Sequence, residues 1–312
     1  PALGDASVSF EATGIAPPSP QLVLVTPPPS SAAAGVPFEQ QPELQLQDAA
    51  GAPLPRADVA VTVQIADGPG SLGGTTTARS NAQGRVTFTD LSIRGRPGDR
   101  TLLFAANDFT PATSAVIDVN PGPPDPDESS ASVGDGRAGS RTTVTIRLRD
   151  EFGTEVDGAA GALRVRVDGA NPGDLSVSAE GDGSYSAGYT PRRTGTDQVI
   201  VEVNGEPVDG SPLRSNVEPG PAAASRTTAQ VVKSGAFFFE ITILVTVRDA
   251  EGNLLGRGGD RVQIAVEGGV VIRNATDNGD GTYSDRFVTI LSSPSIVITL
   301  NGEEISGSPF RP

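Results

Sequence analysis

The chain has 312 residues, a formal net charge of −15 and no His, Cys, Met or Trp. These absences exclude an imidazole base or metal ligand, a thiol nucleophile, a zinc–thiolate site and any disulfide, and the acidity sets nucleic acid and anionic membranes aside as partners. With aromatic residues at 4%, Val, Ile, Leu and Ala must fill the interiors, which suits two or three thin layered domains better than one thick core. The 38 Gly and 27 Pro fall between alternating segments, a pattern of many short strands. No apolar run approaches the length of a membrane helix, so no membrane insertion is expected. Pro1 has neither a basic nor an apolar leader behind it, and the lack of Met reads as a chain that has been processed or cut.

The first element is a strictly alternating segment, residues 5–14. Ala6, Val8, Phe10 and Ala12 share one face, and Ser7, Ser9, Glu11 and Thr13 share the other. A Pro-rich joint, Ala16-Pro-Pro-Ser-Pro20, separates it from the strand Gln21-Leu-Val-Leu-Val25, which opens the first domain. From there one phrase occurs three times: Leu44-Gln-Leu-Gln-Asp48-Ala-Ala-Gly51, Ile146-Arg-Leu-Arg-Asp150-Glu-Phe-Gly153 and Val245-Thr-Val-Arg-Asp249-Ala-Glu-Gly252. In each, an alternating strand runs into a turn whose Asp caps the backbone and whose Gly takes positive φ. A further strand follows each time, at residues 59–65, 163–167 and 261–266. The Asp residues recur at about one hundred residues, the size of an immunoglobulin-like sandwich.

Other phrases recur as well. Gly181-Asp-Gly-Ser-Tyr185 is echoed by Asn278-Gly-Asp-Gly-Thr-Tyr283 and more loosely by Asn81-Ala-Gln-Gly-Arg-Val-Thr-Phe88; Gly210-Ser-Pro-Leu213 is echoed by Gly307-Ser-Pro-Phe310. Pro121-Gly-Pro-Pro-Asp-Pro126 and Pro219-Gly-Pro221 are short, stiff joints. From these turns and endings, residues 127–312 resemble two filamin-type immunoglobulin repeats. Residues 20–120 resemble the bacterial Ig-like repeats of invasin–intimin surface proteins, through Leu72-Gly-Gly-Thr-Thr-Thr77 and Val86-Thr-Phe-Thr-Asp-Leu-Ser-Ile93. The resemblance implies a spacer or adhesive array on a bacterial surface and supplies no catalytic residue. The expected fold is all-β: three tandem antiparallel immunoglobulin-like β-sandwiches with an extra N-terminal strand. The expected divisions are a strand and linker at 1–19 and sandwiches at 20–122, 123–219 and 220–312, the last lacking most of its final strand.

Candidate sites are few. Asp277 and Asp280, in Asp277-Asn-Gly-Asp-Gly281, could gather around calcium, but no Glu follows at the spacing of a complete loop, and a plain β-turn explains them. Lys233, the one lysine, could join an Asn in an isopeptide bond if both were buried beside a carboxylate; a solvated lysine on a strand is the simpler reading. Asn274-Ala-Thr276 fits a glycosylation sequon by chance. Phe237, Phe239, Ile241, Ile243, Val245 and Val247 read as the apolar face of a long strand, with Phe238 and Leu244 on the other face as a candidate lateral contact.

The ends carry the last expectation. Leu213-Arg-Ser-Asn-Val-Glu-Pro219 reads as the final strand of the second domain, whereas the third stops at Phe310-Arg-Pro312. Residues 5–14 of one subunit could therefore complete the third domain of the next, with Ala6, Val8, Phe10 and Ala12 as donor and Pro309 and Phe310 at the end of the acceptor groove. This makes the chain a structural subunit of an extracellular filament whose partner is itself, head to tail. The alternative is a stalk or adhesive segment of a cell-surface protein, meeting a host or cell-surface ligand. Neither reading needs a cofactor or an enzyme active site.

Overall fold

The computed structural model describes residues 19–266 and 272–312. The donor residues Ala6, Val8, Phe10 and Ala12 lie outside them. Among the described residues the regular structure is strand throughout, apart from two single 3-10 turns at Ala160–Ala162 and Ala224–Arg226. Contacts divide the chain into two compact units, residues 1–123 with 150–154, and residues 124–149 with 155–312. Three separate hydrophobic cores lie within them, one in the first unit and two in the second.

In the first unit, strands Gln21–Thr26, Glu43–Gln47 and Arg85–Thr87 make one sheet. Facing it are Ser31–Ala33, Ile117–Asn120, Gly98–Ala105, Ala60–Asp67 and Thr77–Arg79, in that order. Leu44, Leu46, Val61, Val86, Phe88 and Phe104 point between the two, and Phe88 and Phe104 meet edge to face at 5.4 Å.

The second unit repeats this plan twice. In its first sandwich, Ser130–Val133, Thr142–Arg147, Ser184–Tyr189 and Val177–Gly181 form one sheet. The other runs Gly136–Arg137, Leu213–Glu218, Gly195–Val203, Leu163–Gly169 and Gly173–Leu175. Leu213–Glu218 pairs antiparallel with Gly195–Val203 and parallel with Gly136–Arg137. Alternation fixes the facing: Thr142, Val144 and Ile146 are buried, and Thr143, Thr145 and Arg147 are exposed.

In its second sandwich, Thr228–Ser234, Phe239–Thr246, Thr282–Thr289 and Thr276–Asp277 form one sheet. Ile272–Asn274, Val262–Val266, Ile296–Leu300 and Glu303–Glu304 form the other. Ile241, Ile243 and Val245 fill the core as alternation requires. Phe237 does not extend that face. The strand begins at Phe239, and Phe237 sits 88% exposed in the preceding turn, because Gly235 at φ +98° reverses the chain there. At the edge of Ile296–Leu300, where the sandwich before it carries Leu213–Glu218, Phe310 forms a bridge with Ile296, each N–H donating to the other's carbonyl at 2.8 Å.

Candidate functional site

The recurring Asp-x-x-Gly phrase builds the same object three times. The Asp48 Oδ1 accepts the N–H groups of Ala50 and Ala52 at 2.9 Å each. Asp150 Oδ1 accepts from Phe152 (3.0 Å) and Thr154 (2.8 Å), and Asp249 Oδ1 from Glu251 (3.0 Å) and Asn253 (2.8 Å). One carboxylate oxygen thus satisfies two turn amides that the strand ladder leaves unpaired.

The second oxygen reaches further. Asp249 Oδ2 accepts the N–H of Gly220, in the Pro219-Gly-Pro221 joint, at 2.8 Å, and Asp150 Oδ2 accepts that of Gly122, in Pro121-Gly-Pro123, at 2.9 Å. Each joint glycine lies so close to its neighbours that a Cβ added to it would meet a carbonyl oxygen, that of Ala138 at 2.9 Å for Gly220 and that of Ala34 at 2.5 Å for Gly122. Both aspartates are essentially inaccessible. Burial pushes the Asp249 carboxyl up, but hydrogen bonds from Asn253, Gly220 and Glu251 outweigh it and hold the group below the usual carboxylate range.

Within the second unit the Asp249 turn also ties its two sandwiches together. Asn253 Nδ2 donates to Asp249 Oδ2 (2.9 Å) and to the carbonyl of Arg192 (2.8 Å), and its Oδ1 accepts the Thr194 N–H at 3.3 Å. Glu251 meets Arg192 at 3.5 Å. In the first unit, Glu151 of the Asp150 turn pairs with Arg94 at 2.7 Å, and the same guanidinium lies 5.7 Å over the Phe152 ring.

The tyrosine turns serve the interior. Tyr185 OH donates to the Val156 carbonyl at 2.9 Å and accepts the Ala159 N–H at 3.0 Å; Tyr283 OH accepts the Asp260 N–H at 2.8 Å. Burial, with the Asp197 carboxylate beside it, pushes the Tyr189 phenol up to about 12. These hydroxyls are spent on loop geometry.

The sequence-predicted sites fall as follows. Asp277 accepts the N–H groups of Gly279 (2.9 Å) and Gly259 (2.7 Å), and Asp280 accepts the Thr282 N–H (2.9 Å) and hydroxyl (2.6 Å). Their lone pairs therefore serve the turn, and among the described residues no group of three acidic side chains converges. Lys233 Nζ donates to the carbonyls of Ser292 (2.6 Å) and Pro312 (2.8 Å) and lies 5.3 Å from the Phe239 ring centre, with no Asn among these partners. Phe238 and Leu244 are 69% and 39% exposed. Pro309 is exposed and Phe310 packs half-buried against the third core. The sequence reading missed Asn253, Arg192 and the second oxygens of Asp150 and Asp249. For the last two the signal was present: the Asp150 and Asp249 turns each follow a Pro-Gly-Pro joint at nearly constant distance.

Residues 123–214 match the Filamin/ABP280 repeat model and residues 223–309 match the model of invasin domain 3. The second sandwich is thus similar to a filamin repeat and the third to an invasin domain. Of the two repeats expected to be filamin-type, the second sandwich matches the filamin model and the third matches the invasin model. Mouse Filamin-C is 26% identical over 181 residues, 56% of this chain, and Drosophila melanogaster Filamin-A is 32% identical over 133 residues, 41% of this chain. This array spans about 6% of the length of either filamin. Among solved structures, the Escherichia coli adhesin FdeC aligns with 97% of this chain and 98% of its own, at TM-score 0.50 and 22% identity. The integrin-binding bacterial protein invasin aligns over 90% of this chain and 56% of its own, at TM-score 0.42 and 19% identity. The FdeC alignment shows a shared all-β fold of tandem Ig-like repeats.

Proposed function

We propose that this chain is a stalk or adhesive segment of a bacterial cell-surface protein built from Ig-like repeats, presenting its sandwiches to a host or cell-surface ligand. The observation that carries this reading is the Asp249 network. A buried carboxylate that fastens the linker glycine, together with an Asn that bridges to the preceding sandwich, stiffens a joint that would otherwise swing. Stiff joints serve a spacer and have no use in a catalytic site. Tandem folding in the manner of an adhesin fits the same role. Antibodies raised against the chain should label intact cells of its source; signal appearing only after permeabilisation would overturn the reading.

A second reading is favoured by the edge of Ile296–Leu300, where Phe310 makes its bridge to Ile296. Residues 5–14 of a second copy, with Ala6, Val8, Phe10 and Ala12 turned inward, would extend that edge past Phe310 and Pro309, and repeated donation would give a head-to-tail filament. Electron microscopy of the purified chain tests it: fibres should form and should vanish when residues 1–14 are deleted. Fibres that persist without them would rule out strand donation.

A further inference from the structure

A cleft of about 510 Å³, within the size range of small-ligand sites, opens on the second sandwich. Two loops form it: residues 170–172, which lead into Gly173–Leu175, and the loop that follows Ser184–Tyr189. Both are held from beneath by Asp197, which is fully buried. Its Oδ1 accepts the Asn171 N–H at 2.8 Å, and its Oδ2 accepts from Asn171 Nδ2 and from the Tyr189 hydroxyl at 3.0 Å each. Asn171 passes the restraint on. Its Oδ1 accepts the N–H groups of Arg192 and Arg193 at 2.8 Å each, and its Nδ2 donates to the Arg193 carbonyl at 2.8 Å. A buried carboxylate thus fixes the spacing of the two loops and preorganises the surface they carry.

That surface mixes apolar and polar groups. Tyr189 and Leu175, both half-buried, line it with the exposed Pro172, and Arg192, Arg193 and Asp174 bring exposed charges to it. The charges balance: Arg192 faces Glu251 at 3.5 Å, Asp174 faces Arg164 at 3.9 Å, and Arg193 sits on the loop that Asp197 anchors. A balanced lining offers hydrogen-bond donors and acceptors without a net charge, which suits a polyhydroxyl ligand better than an ion. An apolar peptide anchor needs an enclosed pocket, and this cleft is open to solvent. A sugar ring meets both demands, with an apolar face for Tyr189 and Pro172 and hydroxyls for the arginine and the carboxylate. We propose that the cleft binds a neutral oligosaccharide, with Arg193 donating to its hydroxyls and Asp174 accepting from them. This gives a ligand class to the surface reading above and rests on that reading for the source of the glycan.

The full chain, fluorescently labelled, should bind neutral oligosaccharides on a printed array that also carries sialylated and sulfated glycans, with an array of random decapeptides probed alongside. Arg193→Ala and Asp174→Ala, both at exposed positions, should each lower neutral-glycan binding at least tenfold. Arg147→Ala should change it less than twofold, since this exposed arginine pairs with Ser184, at the opposite end of the strand from Tyr189. Binding confined to acidic glycans, capture by peptides alone, no binding, or neutral-glycan binding indifferent to both cleft variants would each overturn the proposal. The surface reading fails separately, through intact cells that go unlabelled. Labelled cells without glycan binding remove the cleft and leave the stalk, whereas glycan binding lost in both cleft variants upholds the cleft even where cells go unlabelled.

Discussion

The second and third sandwiches differ at one end: residues 134–141 cross to the other sheet through Gly136–Arg137 and lie among polar partners, whereas residues 235–238 close a hairpin between Thr228–Ser234 and Phe239–Thr246 and expose apolar side chains. On the second, Arg192, Thr194 and Gly139 meet Glu251 and Asn253 of the following turn. On the third, Phe237, Phe238 and Ile290 are exposed beyond the last strand pair, Phe239 with Thr289. The difference teaches that the sandwich frame leaves its end loops free to vary.

The comparison can be broken most sharply at Asp249. Asp249→Ala leaves buried amide donors of Gly220, Glu251 and Asn253 without their acceptor, and should destabilise the third sandwich by about 3 kcal/mol in urea unfolding. Acid should act in the same direction. Because the folded pKa is lowered, the carboxylate stabilises above its ordinary pKa of 3.8, and that stability is lost as pH falls below this value through the folded pKa. A urea midpoint followed from pH 6 down to pH 2.5 should drop in the parent chain and change less in Asp249→Asn.

Tyr283→Phe removes a single acceptor, that of the Asp260 N–H, and should cost about 1 kcal/mol by the same measurement. Arg192→Ala breaks a pair whose arginine is 78% exposed, and a loss below about 1 kcal/mol is expected. If it costs as much as Asp249→Ala, surface charge and not the buried carboxylate holds the joint. Phe237→Ser with Phe238→Ser should change unfolding free energy least, within about 0.5 kcal/mol, since both rings are open to water. A large loss there would mean that these rings belong to the third core.

Much of the fold is legible in the sequence because its signals are local. Alternation in Thr142–Arg147 and Phe239–Thr246 sets which side chains face inward. The first oxygen of each Asp caps amides two and four residues on, so the Asp-x-x-Gly turn is written within one short phrase. Alternation misled at Phe237, where a glycine turn ends the strand and the pattern runs on without it.

The sequence by itself therefore determined the three repeats, their strand facing and their turns, since each depends on residues a few positions apart. The tertiary structure alone decided what the turns are for. Gly220 reaches Asp249, and Asn253 reaches Arg192, only after the sheets have stacked and brought distant segments together. Exposure of Phe237, Phe238 and Ile290 is likewise a property of the packed sandwich, because a periodic pattern does not say where a face stops being covered.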